Sequence, residues 1–131
     1  MQDRFDIIQS MDKTIDGRPF IWDDEKSRIN FQKHGIKFET AAKVFRDEFK
    51  IIQEDFLHST TYEERMKVIG MVNDVLCVIY TERRRATRLI SARKANLVER
   101  GQYYGNRDLL LAQRSEIDSG GDSGTGSSEG F

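Results

Sequence analysis

The chain has 131 residues, a net charge of −1, and 37% hydrophobic against 33% charged residues, which suits one domain with a small core. No apolar run approaches the roughly 20 residues of a membrane helix. The start Met1-Gln2-Asp3-Arg4-Phe5-Asp6 lacks the character of a secretory signal, and a single cysteine, Cys77, excludes an internal disulfide; a cytoplasmic protein is expected.

Residues 1–19 show no hydrophobic period and hold the only proline. They read as a flexible leader with a short helix around residues 5–11. Phe20-Ile21-Trp22 reads as an edge strand. Asp23 then offers a helix N-cap, and Asp24 and Glu25 suit the positive end of the helix dipole. That helix should reach Lys33-His34 and stop at Gly35. Phe38, Ala41, Ala42 and Phe45 recur at i, i+3, i+4 and i+7, one buried face of a second helix. Strands are expected over 49–55 and 65–72, separated by the polar loop His58-Ser59-Thr60-Thr61. Asn73-Asp74 should turn the chain into 75–80, apolar on both faces and so a central strand. A turn at Arg83-Arg84 leads to a last strand over 86–92, and a helix from 95 runs to 104, extending as far as 111. The Gly-, Ser- and acid-rich remainder has little to bury and is expected to be disordered. The division is a leader over 1–19, a domain over 20–111 and a tail over 112–131. The fold class is α+β: a strand and two helices, then an antiparallel sheet and a C-terminal helix.

The near-neutral charge hides a segregation. Residues 80–100 hold seven basic side chains against two acidic ones, whereas residues 105–131 hold two against five. There is no glycine-rich phosphate loop, no Cys/His cluster with zinc spacing, no acidic cluster for two metals and no nucleophile beside a recognisable base. No metal or organic cofactor is expected. The remaining inventory of Arg, His, Lys, Tyr and Glu suits RNA cleavage, because RNA supplies its own 2′-hydroxyl nucleophile. The protein need only move protons and neutralise the charge that develops on the phosphate.

His34, in the last turn of its helix, is a candidate general acid or phosphate contact, or simply a cation at the negative helix end. His58 reads as an exposed loop residue. Lys26 sits in the first helical turn, where the dipole does not favour it. Glu82-Arg83-Arg84-Arg85 with Arg88 and Arg93 is the main constellation. Arg88 and Arg93 flank or interrupt the apolar strand Leu89-Ile90-Ser91-Ala92, where a guanidinium needs an anion: a phosphate, or a carboxylate such as Glu64, Glu82 or Glu99. Strict alternation sends the two arginines to opposite faces unless the strand ends or bulges before Arg93. Arg65 opens the neighbouring strand. Tyr103 and Tyr104 could stack on a base or pack in the core.

Four motifs in order resemble one family. They are Trp22-Asp23-x-x-Lys26-x-x-x-Asn30-x-x-Lys33-His34-Gly35-Ile36-x-Phe38-x-x-Ala41, Glu63-Glu64-Arg65-x-x-x-Ile69-Gly70, Val78-Ile79-Tyr80-Thr81-Glu82-Arg83, and Arg88-Leu89-Ile90-Ser91-Ala92-Arg93-Lys94-Ala95-x-x-x-Glu99-Arg100-x-x-Tyr103-Tyr104. The sequence resembles the BrnT toxins over about residues 20–104. The resemblance implies a RelE-like fold and a growth-arresting ribonuclease neutralised by a BrnA antitoxin. It also implies that this antitoxin carries a ribbon–helix–helix DNA-binding domain, so the complex, a heterotetramer containing a toxin dimer, meets operator DNA through it. With that resemblance the expected catalytic set is His34, Glu82, Arg65, Arg88 and Arg93, and the expected RNA contacts are Lys26, Arg83, Arg85, Lys94 and Tyr104. Two rival readings stand beside it: a non-catalytic corepressor that grips the antitoxin, and a structural partner whose charged strand is satisfied internally.

Overall fold

The computed structural model describes residues 10–127. Its strands are β1 (Ser10–Ile15), β2 (Arg18–Asp23), β3 (Ile51–Glu54), β4 (Met66–Val72), β5 (Asp74–Glu82) and β6 (Thr87–Lys94), in one sheet of order β1-β2-β6-β5-β4-β3. The helices are α1 (Asp24–His34), α2 (Phe38–Ala41), tightening directly into a 3-10 turn over Ala42–Arg46, and α3 (Leu97–Ser127). The fold is α+β, as expected. β5 lies among the central strands, and Val75, Leu76, Cys77 and Val78 are all buried.

The leader is where sequence and structure part. β1 and β2 form a hairpin turned by Asp16-Gly17, both left-handed with φ of +52° and +80°. Two residues of that hand are what a right-twisted two-residue hairpin requires. β2 is therefore not an edge strand, since β1 covers it. Of the helix expected around residues 5–11, the first five lie outside the described residues, and Ser10 and Met11 are in β1.

β2 runs parallel to β6 for only two pairs, Phe20–Thr87 and Ile21–Arg88. The chain then turns into α1, capped by the Asp23 carboxylate, which accepts from the Lys26 N–H at 3.1 Å, and stopped by left-handed Gly35. α1 finishes the job that β2 leaves. The buried Asn30 amide donates to the Ala92 carbonyl at 2.9 Å and to the Ile36 carbonyl at 3.1 Å, and its oxygen accepts from the Ala92 N–H at 3.0 Å. One side-chain amide thus satisfies the backbone edge of β6 where no strand reaches it.

One sheet face packs Phe20, Trp22, Val68, Val78, Tyr80, Leu89 and Ala92 against Phe38, Val44 and Phe45 from α2 and the 3-10 turn. The approach there is close. A Cβ on Gly70 would stand 3.1 Å from both the Val44 Cβ and its carbonyl oxygen. The opposite face is covered over one part only, where Tyr103 of α3 packs with Ile69, Val75 and Ala95. The Tyr103 hydroxyl donates to Asp47 at 2.6 Å, and the same carboxylate accepts from the Met71 and Phe49 N–H groups.

α3 starts on a capping box. The Asn96 side chain accepts from the Glu99 N–H at 2.8 Å, and the Glu99 carboxylate accepts from the Asn96 N–H at 2.9 Å. The helix continues past residue 111, where the domain was expected to end, to Ser127. Arg114 helps hold this extension. It pairs with Glu48 at 3.1 Å and lies 5.7 Å from the Phe49 ring centroid.

Candidate functional site

The partly covered sheet face carries the basic side chains, and a bulge puts them there. β5 and β6 pair Tyr80 with Leu89 but Ile79 with Ser91, which leaves Ile90 as an extra residue in β6. An extra residue inverts the alternation beyond it. Leu89 and Ala92 therefore both enter the helix-side core, and Arg88 and Arg93 share the other face. Of the two arrangements that alternation left open, the structure has the bulged one. The arginines oppose Thr81 and Cys77, four residues apart on β5, which is about 13 Å of strand.

They have different surroundings. Arg93 makes a bidentate pair with Glu99 at 2.7 and 2.9 Å. Glu99 is 3% exposed and also accepts from Lys67 at 3.2 Å. The Arg93 guanidinium holds the Glu99 carboxyl down at about 2, against an ordinary value of 4.5. Arg93 is thus a structural ion pair that pins α3 to the sheet. Cys77, opposite Arg93, is buried, and burial pushes its thiol up to about 12. A thiol in that state is a packing group and a poor nucleophile.

At the other end of the same face Arg88 lines a concavity of about 200 Å³ with Lys26, Glu63, Arg65, Arg83, Leu89 and Ile90. Four cations from four different segments meet there around one carboxylate. Glu63 accepts from Arg65 Nε at 3.2 Å on one oxygen and from Arg83 at 3.0 Å on the other. The preceding loop sets Arg65. The Ser59 hydroxyl accepts from the Arg65 N–H at 2.8 Å, and the Arg65 carbonyl accepts from the Asp55 N–H at 2.7 Å. Lys26 is delivered by the Asp23 cap, which fixes the first turn of α1 beside β6.

Of the ten residues expected from sequence, Lys26, Arg65, Arg83 and Arg88 come together. His34 is exposed at the far end of α1, eight residues from Lys26 and so about 12 Å along the axis. Glu82 opposes Thr87, on the helix side of the sheet. It pairs there with Arg18 at 3.0 Å and accepts from the Thr87 hydroxyl at 3.0 Å. Arg18 itself stacks on Phe45, 4.1 Å from the ring centroid. Lys94 is 3.9 Å from Asp74, opposite Leu76, also on the helix side. Tyr104 packs edge-on against Tyr103, with Arg107 4.9 Å from its ring centroid. Arg85 lies beyond the turn, beside the N-terminal hairpin. His58 is bound to Asp55 at 2.7 Å.

The sequence reading assigned no role to Glu63 or Lys67. Glu63 stands two residues before Arg65 in a quoted motif, and Lys67 alternates with Ile69 and Met71 along β4; those positions were the available signal.

The structure is a small α+β domain with a cleft of converging cations on an open sheet face, an arrangement whose charge complements phosphate groups. The family described as the ribonuclease toxin, BrnT, of type II toxin–antitoxin systems matches residues 22–99, and the chain belongs to it. Such a system implies an antitoxin partner. No curated protein matches the chain. Among the described residues no helix is long and apolar enough to cross a membrane.

Proposed function

We propose that this protein is a metal-independent endoribonuclease whose reaction takes place in the cleft of Lys26, Glu63, Arg65, Arg83 and Arg88. The supporting observation is that this one concavity gathers four cations around a single carboxylate. Glu63 takes the proton of the RNA 2′-hydroxyl. O2′ bonds to phosphorus while the P–O5′ bond breaks, and Lys26 returns a proton to the departing O5′. The products are a 2′,3′-cyclic phosphate and a 5′-hydroxyl end. Arg88 and Arg65 stabilise the pentacoordinate phosphorus, where negative charge is greatest. Arg83 orients Glu63. His34 and Glu82 have no part in this scheme: His34 sits at the far end of α1, and the Glu82 carboxylate is engaged by Arg18 and the Thr87 hydroxyl. Arg93 acts through Glu99 on the position of α3.

The antitoxin is proposed to be a BrnA-like ribbon–helix–helix protein, with the complex reaching operator DNA through it. The deciding experiment mixes purified protein with end-labelled RNA in EDTA. Cleavage that leaves cyclic phosphate ends is expected. Intact RNA at concentrations where the protein binds it would refute the enzyme and favour the corepressor reading.

A further inference from the structure

On the helix side of the sheet, away from the cleft, lies a concavity that the proposed reaction does not use. Its volume is about 410 Å³, and its walls include Phe31, Ile36, Lys37, Val72, Leu76 and Lys94. Three pieces of the fold make it. Gly35 ends α1 and turns the chain, so that Ile36 is buried while Phe31 and Lys37 stay at the surface. Val72 and Leu76, on either side of the β4–β5 turn, give it an apolar floor continuous with the helix-side core. Lys94, opposite Leu76, is the last residue of β6 and stands at the rim.

The floor is apolar and the rim is positive. Phe31 is 47% exposed beside that floor. Lys37 lies 6.0 Å from the Phe31 ring centroid and pairs with no carboxylate among the described residues. Lys94 comes only within 3.9 Å of Asp74, a carboxylate that Arg100 already holds at 2.8 Å. RNA is a poor fit, because an apolar floor returns none of the hydrogen bonds that sugars and phosphates give up on leaving water. An amphipathic helix fits. Aliphatic side chains at i, i+3 or i+4 and i+7 would cover the floor, and carboxylates beside them would meet Lys37 and Lys94.

We propose that this groove docks an acidic, amphipathic helix of the antitoxin, the protein partner that membership of the family implies. The charge at the rim selects such a segment over a neutral or basic one. Leu76 and Lys94 lie on the opposite sheet face from Arg88, so a helix held there anchors the antitoxin without covering the cleft. Docking and RNA cleavage are then separable.

The test titrates the intact chain with its antitoxin, the protein encoded beside it, by calorimetry, and compares Phe31→Ala and Lys37→Glu/Lys94→Glu. Phe31→Ala should weaken binding about tenfold, as removal of a central aromatic anchor does. Reversing the two charges should weaken it at least as much, and raising the salt should weaken the intact pair more than the reversed one. Affinities like that of the intact chain, with melting temperatures matched, would overturn the docking site. Loss of RNA cleavage in Lys37→Glu/Lys94→Glu would assign the rim to RNA and overturn it as well. A free chain that sediments as a dimer, and as a monomer once Phe31 is replaced by alanine, would give the groove to a second copy instead. Weakened docking with cleavage unchanged, or with no cleavage by any form of the chain, supports it.

Discussion

Arg88 and Arg93 are alike in sequence and share a sheet face, but they answer to different tests. Arg93→Ala removes the bidentate partner of a carboxylate that is 3% exposed and leaves Lys67 as its side-chain cation; breaking a buried pair in this way costs on the order of 3 kcal/mol. That variant should be recognised first by its lowered urea midpoint. Arg88→Ala should lower the cleavage rate on the order of 100-fold, the usual loss when one group stabilising developing charge is removed. Rates measured beside unfolding curves check both. Glu99 also sets an acid limit. Its folded value of about 2 lies below the ordinary 4.5, so its stabilisation is complete above pH 4.5 and is lost as the pH falls toward 2. The gap corresponds to about 3 kcal/mol. Urea denaturation at pH 7, 4.5 and 3 should show the loss, and Glu99→Gln should flatten that part of the profile. The arginines themselves were legible in sequence, because charge in an apolar strand demands a partner. Which of them would meet a carboxylate was not, because Glu99 reaches Arg93 only through the placement of α3.

At the scale of elements, α1 and β4 to β6 were readable from capping residues and apolar runs. What escaped is instructive. The bulge at Ile90 leaves no local signature, since Leu89-Ile90-Ser91-Ala92 is as good a regular strand as a bulged one. The β1–β2 hairpin escaped because Lys13, Thr14 and Arg18 give no apolar alternation; only Asp16-Gly17 marked it. Asn30 was visible as a motif residue, but its role appears only once α1 is seen to border β6. Asn30→Ala should cost about 3 kcal/mol, because it leaves the buried Ala92 N–H and carbonyl without partners. Thermal unfolding measures that loss, and hydrogen exchange should show the Ala92 amide losing protection.

Taken as a whole, the molecule is nearly neutral, yet its basic side chains converge where the sheet is open, and most of the carboxylates that could cancel them are engaged elsewhere. RNA affinity should therefore depend on salt far more than a net charge of −1 suggests. If about three phosphates are neutralised, log affinity should fall against log salt with a slope of about −2; a titration by fluorescence anisotropy reads it, and a flat response would mean that the cations are satisfied within the protein. The N-terminal hairpin has a separate consequence for solubility. β1 pairs with β2 along its whole length, so the outer rim of the sheet is a short strand whose sequence carries Asp12 and Lys13, charges that discourage another chain from pairing there. Removing the residues before Arg18 would leave that rim bare. The shortened protein should self-associate as its concentration rises, visible in light scattering, while the full chain stays dispersed.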